Sequence, residues 1–458
     1  MNYLVDQYFE ALHGKHVLVL GIGVSNRPLI RMLLSYGIDV TACDKTPREQ
    51  LDPEVLALEQ AGAKLKVGED YLEKLYADVV FRTPGMHPDI PALAKLREQG
   101  AVITSEMEAF FTVCPCQVIG VTGSDGKTTT TTLIAEILKH AGKTVWVGGN
   151  IGQPLLPLAK EMTEEDFAVV ELSSFQLMRM TQSPHVAVIT NLAPNHLDVH
   201  KDMEEYIQAK ENIYLHQTAG DKVVLNLANR ITASFAEKAK GTVDSFSRRE
   251  TPVRGAYLLG DTVYHNGKPA LERKDILLPG LHNVENYMAA MCAVEDYVTD
   301  ADILAVARTL GGVEHRIKLV RTLRGVRYYN DSIASSPSRT IAGLHSFSQK
   351  VVLIAGGYDK HIPFDVLGPE IVTHVKRLLL CGATAEKIRQ AVLNAPDYRE
   401  GQPEIQIFSN LKDAVLDAQA HGEEGDVVTL SPACAAFDQF KNFMVRGEFY
   451  KKTVMELQ

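Results

Sequence analysis

The chain predicts a multidomain α/β protein built on parallel sheets, and three stretches of its 458 residues carry that prediction. Apolar Val118-Ile-Gly-Val121 passes through a glycine-rich turn ending in Gly126-Lys-Thr128 into Thr130 to His140, where Leu133, Ile134, Ile137 and Leu138 keep helical spacing. His16 to Leu20 is an apolar strand running into Gly21-Ile-Gly23, then a helix-like stretch to Tyr36 and a second strand, Asp39 to Cys43. From Glu314 onward, four apolar strands alternate with segments of helix length. The length exceeds what one core supports and gives an expectation of two to four domains; the breaks along the chain place three, at 1–113, 114–312 and 313–458.

Composition narrows the class. With 45% apolar and 23% charged residues the chain has the balance of a soluble globular protein, and no apolar run reaches membrane-spanning length. The N-terminus lacks the basic-then-apolar layout of a signal peptide. Six scattered cysteines make no disulfide framework, which points to a cytoplasmic protein, and Cys114-Pro-Cys116 lacks the second pair a metal site would need. The net charge, 47 minus 57 or −10, argues against a nucleic-acid surface. Small-molecule substrates, no nucleic acid, no membrane and a monomer are the expectation.

Taken in order, the opening βαβ unit carries Asp44 at the end of its second strand, about where a ribose or base contact falls in nucleotide folds, but the third glycine of the dinucleotide fingerprint is missing. Ala77 to Phe81 is a strand leading into the Arg82-Thr-Pro-Gly85 turn; Ala101 to Thr104 is another strand, and Glu106 to Phe111 a short helix. Three strands of the middle section end in polar residues. The first ends in the phosphate loop, the second, Phe167 to Val170, in Glu171-Leu-Ser-Ser-Phe-Gln176, and the third, Val186 to Thr190, in Asn191 to Asp198. Ligands bind beyond the carboxyl ends of strands in such sheets, so the three tips are expected at one cleft.

The turn itself is a phosphate cradle. Its glycines let backbone N–H groups converge on an anion, the helix start adds its dipole, Lys127 supplies a charge and Thr128 a hydroxyl for Mg²⁺. Gly120 stands one place too early for the usual spacing. Glu171 and His196 are candidate metal ligands beside Thr128, although a carboxylate here can equally cap a turn and a loop histidine can simply face solvent. On the predicted helix Met203 to His216, Lys210 shares the apolar face of Tyr206 and Ile207. Such a lysine either snorkels to water or, desolvated and neutral, reacts with CO₂ to give a metal-ligating carbamate.

Asp221 to Asn226 is a further strand, followed by an alternating stretch (Ala256 to Leu259, Thr262 to Tyr264) expected to form an antiparallel hairpin excursion. An Ala- and Met-rich helix follows from Leu281, with Asn283 and Asn286 on one face, suited to capping or base recognition. The last unit is expected to be another parallel sheet, with strands at Arg327 to Tyr329, Val351 to Ile354, Arg377 to Leu380 and Val427 to Leu430.

The ordered set Gly120-x-Thr-Gly-x-x-Gly-Lys-Thr-Thr129, Gly148-Gly-Asn-Ile-Gly152, Glu171-Leu-Ser-Ser-Phe-Gln176, Asn195-His-Leu-Asp198, Ala209-Lys210, His282-Asn-x-x-Asn286, His315-Arg316, Asn330-Asp-Ser332, Ser431-Pro-Ala-Cys434 and Asp438 to Phe443 resembles the Mur ligases across the whole chain. The resemblance is strongest to the branch that joins D-glutamate to UDP-N-acetylmuramoyl-L-alanine. It implies ATP-dependent amide formation through an acyl phosphate, with two Mg²⁺ sites and closure of the middle and last domains.

Carried over by position, the resemblance implies that Gly120, Thr122, Gly123, Ser124, Asp125, Gly126, Lys127, Thr128 and Thr129, with Asn283, Asn286, Arg316 and Asp331, bind ATP. Lys127, Glu171, His196 and Lys210 would be catalytic, and Thr128, Glu171, His196 and carbamoylated Lys210 would hold the metals. Gly23, Val24, Ser25, Asp44, Thr83, Pro84 and Gly85 would take the uridine diphosphate end, with Asn150 and His196 by the muramoyl group. Ser335, Lys360 and Phe443 would receive the amino acid. Two positions depart from the family: Ile333 replaces an expected lysine and Ala436 an expected serine in the amino-acid pocket. The alternatives are a Mur-type or folylpolyglutamate ligase with another substrate, a nucleotide-dependent oxidoreductase built on Gly21-x-Gly23, and a phosphate-loop switch.

Overall fold

A computed structural model describes residues 2–23, 25–194, 200–311, 315–359 and 363–458. The chain forms two compact units, Met1–Arg273 with Glu285–Val306, and Lys274–Val284 with Ala307–Gln458. Three sheets are divided between them.

The first unit opens with a five-stranded parallel sheet of order β3-β2-β1-β4-β5, made of β1 (His16–Leu20), β2 (Asp39–Asp44), β3 (Lys64–Val67), β4 (Val79–Arg82) and β5 (Val102–Thr104). Its centre forms because Val17 to Leu20 and Val79 to Phe81 are apolar without interruption, as strands covered on both faces must be. A helix absent from the sequence reading, Tyr3–Glu10, buries Val5 and Phe9, and Phe9 stacks on Tyr36 at 4.8 Å.

The second sheet of this unit has nine strands in the order β14-β13-β12-β11-β10-β9-β6-β8-β7. They are β6 (Gln117–Thr122), β7 (Val145–Gly149), β8 (Phe167–Glu171), β9 (Val186–Ile189), β10 (Lys222–Asn226), β11 (Thr242–Ser247), β12 (Gly255–Leu259), β13 (Thr262–His265) and β14 (Lys268–Glu272). Strand β6 lies between β8 and β9, so the chain leaves it toward one side and later returns on the other. That reversal makes the carboxyl end of β6 a switch point, where a crevice opens between adjacent loops. The expected antiparallel hairpin forms, β12 with β13, and β14 extends it; it is also joined to the main sheet, because β12 pairs in parallel with β11. One apolar core runs from Val5 through Val118 and Ile189 to Phe235, continuous across both sheets of the unit.

The second unit holds a six-stranded sheet of order β15-β16-β20-β17-β18-β19, from β15 (Lys318–Leu323), β16 (Val326–Asn330), β17 (Val351–Ala355), β18 (Val375–Cys381), β19 (Glu404–Phe408) and β20 (Val427–Leu430). It is not wholly parallel as expected, because β15 pairs antiparallel to β16 across the tight Arg324-Gly325 turn, where both residues have positive φ.

Candidate active site

The loop after β6 is fixed before any ligand is considered. Gly123 and Gly126 have φ of 151° and 80°. A Cβ on Gly123 would collide with the Thr190 hydroxyl, and one on Gly126 would come within 2.5 Å of Asn286 Oδ1. The tip of β9 holds the loop from the side: the N–H groups of Ser124 and Asp125 donate to the carbonyl and side-chain oxygens of Asn191 at 2.9 and 3.0 Å, and Thr190 donates to the Asp125 carbonyl at 2.5 Å. Ser124 Oγ lies 2.9 Å from the Tyr206 hydroxyl and donates to the Ala193 carbonyl at 2.9 Å. The Lys127 ammonium folds back over the loop, donating to the carbonyls of Gly123 and Ser124 at 2.9 and 3.0 Å. Thr129 is buried on the first turn of the helix Lys127–His140, and Thr130 donates to Asn286 Oδ1 at 3.3 Å.

Gly120 lies elsewhere. It sits inside β6, and a Cβ there would come 2.7 Å from Pro184 Cγ, so its bareness serves packing between strand and loop rather than the phosphate cradle. The irregular spacing in the sequence has this cause: the cradle's own glycines are Gly123 and Gly126.

The tips of β6, β7 and β8 meet at Glu171. Its carboxylate, 1% exposed, accepts from Thr128 Oγ1 at 2.7 Å on one oxygen and from Asn150 Nδ2 at 2.8 Å on the other. Asn150 is placed by its own N–H, which donates to the Glu171 carbonyl at 2.8 Å, and by Gly149, where any Cβ would strike that carbonyl. Beneath the loop lies Lys210, also 1% exposed, on the helix Met203–Leu215. Its ammonium donates to Thr122 Oγ1 and the Gly123 carbonyl, both at 3.0 Å, and sits 5.1 Å from the centre of the Tyr206 ring. Both hydrogen-bond acceptors are neutral. Burial, reinforced by the charge of Lys127 and only partly offset by Glu171, drives its pKa well below the usual lysine range. The snorkelling alternative fails here because the amine does not reach water.

His196 lies outside the described residues, as do Val24 and Lys360. Just beyond that gap, His200, which the sequence reading passed over, is buried with Nε2 2.8 Å from Ser174 Oγ and its ring stacked on Phe175 at 5.3 Å. It pins the segment after Glu171 to the start of the Lys210 helix.

In the five-stranded sheet, Asp44 holds its own loop. Its carboxylate accepts from the Ile22 N–H at 2.8 Å and from the Thr46 N–H and hydroxyl at 3.0 and 2.8 Å, bonds that lower its pKa against the opposing effect of burial. Gly21 has no room for a Cβ against Thr83, so the carboxyl ends of the paired strands β1 and β4 bring the Gly21-Ile-Gly23 turn and the Thr83-Pro84-Gly85 turn side by side. The missed residue is Arg82. Its buried guanidinium donates to the carbonyls of Pro84 and Met86 in that turn and to those of Phe175 and Met178 beside the second sheet, joining the turn after β4 to the segment that follows Glu171. A charge at the end of the apolar run Val79 to Phe81 was its signal.

In the second unit, Asp331 is buried behind Gly343 and accepts from Ser431 Oγ at 2.7 Å. Burial pushes its pKa up to about 7 although Ser431 and the charge of Arg316 act the other way. Asn283 belongs to this unit and donates to the Pro279 carbonyl at 2.6 Å, whereas Asn286 belongs to the first. Ser335 sits in the loop after Asp331, and Phe443 starts the helix Phe443–Glu456 with its ring edge-on to His315 at 6.1 Å. Buried Arg446, also missed, fixes this region: it donates to Ser332 Oγ and to the carbonyls of Ser332, Cys434 and Ala435 at 2.9 to 3.0 Å. Ala436 is buried and Ile333 half-buried, so neither adds a polar group here.

The comparisons agree in extent with these sites. Residues 121–294 match the Mur ligase middle domain, and residues 315–434 match the Mur ligase, glutamate ligase domain. A UDP-N-acetylmuramoylalanine–D-glutamate ligase of Clostridium novyi is 49% identical over 458 residues, and one of Acetivibrio thermocellus 50% over 466 residues, each covering 100% of both chains. Among solved structures, a UDP-N-acetylmuramate-alanine ligase from Thermotoga maritima superposes with a TM-score of 0.61 at 18% identity, covering 96% of this chain and 99% of that one.

Proposed function

The chain belongs to the Mur ligase family, and on that premise we propose that it joins D-glutamate to UDP-N-acetylmuramoyl-L-alanine at the expense of ATP. The observation that carries the chemistry is Glu171 held between Thr128 and Asn150 at the mouth of the loop, with an uncompensated amine, Lys210, under the same loop.

A carboxylate is a poor electrophile because oxide is a poor leaving group, so it must first be activated. The terminal carboxylate of the UDP precursor attacks the γ-phosphorus of ATP, the bond to the β-phosphate oxygen breaks, and ADP leaves. The amine of D-glutamate then attacks the acyl phosphate, loses a proton, and inorganic phosphate departs as the amide forms. Lys127 and the N–H groups at the start of its helix would hold the transferring phosphoryl group, whose charge they match, while those of Ser124 and Asp125 stay on Asn191. Moving that ammonium from the Gly123 and Ser124 carbonyls onto the nucleotide requires no change in the loop's glycines.

The donor set fits Mg²⁺. Thr128 and Glu171 present a hydroxyl and a carboxylate to one point, the hard oxygen ligands this ion takes beside phosphates. They would hold one ion; a second would lie with Glu171, His196 and a carbamate on Lys210. Bound there, Mg²⁺ supplies positive charge that screens the approach of two anions. The carbamate is supported by the surroundings of Lys210, since burial beside neutral acceptors lowers its pKa and so favours the free amine, the form that adds CO₂. Addition makes a C–N bond and releases one proton, leaving an anion where the structure has none.

The cytoplasm, where ATP and the nucleotide precursor occur, is the proposed location, and among the described residues no helix is long and apolar enough to cross a membrane. A monomer suffices because all proposed groups come from one chain. Measuring ADP release against a panel of UDP-muramoyl precursors and amino acids tests the assignment. Turnover only with UDP-N-acetylmuramoyl-L-alanine and D-glutamate is expected; turnover only with a different precursor or a folate would overturn it. Ser335, Lys360 and Phe443 are the proposed amino-acid contacts, and with Ile333 and Ala436 apolar the side-chain carboxylate has fewer partners to distinguish it.

A further inference from the structure

On the second unit, among residues given no role above, His345, Glu370 and His374 converge, and one ligand atom of each lies within 4.8 Å of the others. Glu370 Oε2 is 2.7 Å from His345 Nε2 and 3.5 Å from His374 Nε2, and the imidazole centroids are 4.8 Å apart. The arrangement follows from local structure. Glu370 and His374 are one turn apart on the helix Leu367–His374, so their side chains rise from the same face. His345 follows the last residue of the helix Pro337–Leu344, which packs against that helix. Two imidazoles directed at one carboxylate oxygen gather, around one point, three ligand atoms of the types a transition cation takes.

We propose that His345, Glu370 and His374 form a binding site for a first-row divalent transition cation, with Zn²⁺ the best match. Imidazole suits Zn²⁺, Ni²⁺ and Cu²⁺ and not Mg²⁺, so this site is chemically distinct from the oxygen set at Thr128 and Glu171. Metal–nitrogen and metal–oxygen bonds of about 2.0–2.2 Å in a tetrahedron set ligand atoms roughly 3.4 Å apart; the Glu370–His374 separation of 3.5 Å matches this, and the 2.7 Å contact of Glu370 with exposed His345 is a hydrogen bond that a cation would replace by moving that imidazole outward. Three protein ligands leave one position for water or an outside donor. The site is half open, with His345 exposed and the other two half-buried, so a cation enters without unfolding. The nearby Lys350 ammonium is directed away, donating to the Val372 carbonyl at 3.0 Å.

A cation here clips two helices together, and one of them backs the Asp331 loop. Gly343 leaves Asp331 its space, and Thr340 receives a hydrogen bond from Ser431 at 3.1 Å. The bound ion therefore stiffens the platform beneath Asp331 without touching it.

The test is titration of the full chain with Zn²⁺ alone, in the presence of excess Mg²⁺ to occupy the oxygen sites, together with the visible spectrum of added Co²⁺. Saturable uptake of one equivalent is expected, with His345→Ala and Glu370→Gln each weakening it by roughly tenfold to a hundredfold or more. The same variants should lose the Co²⁺ band and any cation-dependent rise in unfolding temperature. His374→Gln gives a third, conservative probe if an alanine variant folds poorly. Absence of the equivalent in the unaltered chain, or its survival in all three variants, overturns the proposal.

Discussion

Lys210 concentrates the residue-scale argument. A protonated lysine so deeply buried needs an anion, and its side-chain partners are a threonine hydroxyl and a backbone carbonyl. If the amine is converted to a carbamate, Lys210→Ala should lower turnover by at least about a hundredfold, and added short carboxylic acids should restore part of it by placing an anion in the vacated space. Full activity of the alanine variant would refute the carbamate. Lys210→Met should fold with near-normal stability, since an apolar chain of similar volume replaces a charge that burial disfavours. Gly120 makes the opposite point. Although its place in the sequence associates it with the phosphate loop, a methyl group there meets Pro184 at 2.7 Å. Gly120→Ala should cost about 1–3 kcal/mol of stability through overpacking while ATP affinity, measured on the folded fraction, stays within about twofold. A selective loss of nucleotide binding would return Gly120 to the cradle.

At the scale of elements, the strands that position the site were legible because they are buried on both faces: Val118 to Val121, Phe167 to Val170 and Val186 to Ile189 are continuous apolar runs, and the structure extends or trims each by a residue or two. Strands β3, β15 and β19 escaped notice for the converse reason, since as edges they are half-exposed and carry lysine, arginine or glutamate. Strand β7 was hidden by its two glycines, which make room for Leu155 and the Gln153 carbonyl at Gly148 and for the Glu171 carbonyl of β8 at Gly149. Asn150 itself was reached only through family resemblance; Arg82 was missed although it closes the apolar run Val79 to Phe81, and Arg446 was missed because its exposed-looking neighbours do not distinguish a buried arginine serving carbonyls from a solvated one. Arg82→Met should cost about 3 kcal/mol or more, because the carbonyls of Met86, Phe175 and Met178 lose a buried donor together. Calorimetric unfolding checks this. The helix Glu106–Val113 supplies a pH-dependent counterpart. Burial pushes Glu106 up to about 7, against an opposing hydrogen bond from the Leu156 N–H. Since the folded pKa lies above the unfolded one, the native state binds more protons between roughly pH 4.5 and 7, and stability falls as pH rises through that window. At about 1.4 kcal/mol per unit of displacement the loss approaches about 3 kcal/mol, and Glu106→Gln should remove most of that slope in unfolding midpoints measured from pH 5 to 8.

For the whole molecule, the question is what stops a phosphate-loop protein from simply hydrolysing ATP. The first unit carries the loop, Glu171 and Lys210, the groups proposed to handle the transferring phosphoryl group; the second carries Ser335 and Phe443, proposed for the incoming amine, together with Asn283, Arg316 and Asp331, expected at the nucleotide. The net charge of −10 repels the anionic precursor and ATP, so binding rests on local groups such as Lys127 and loop N–H donors. Chemistry divided this way should separate in time. With ATP, Mg²⁺ and the UDP precursor but no amino acid, ADP release should stop after a burst of about one per chain, the acyl phosphate remaining in a site from which water is largely excluded. Adding D-glutamate should restart release and yield one amide per further ADP. Rapid-quench sampling of ADP, with borohydride trapping of the acyl phosphate, reads both phases. Steady hydrolysis independent of the amine would mark a nucleotide switch and remove the ligase mechanism, whereas a burst that D-glutamate alone among amino acids releases ties the two units to one reaction.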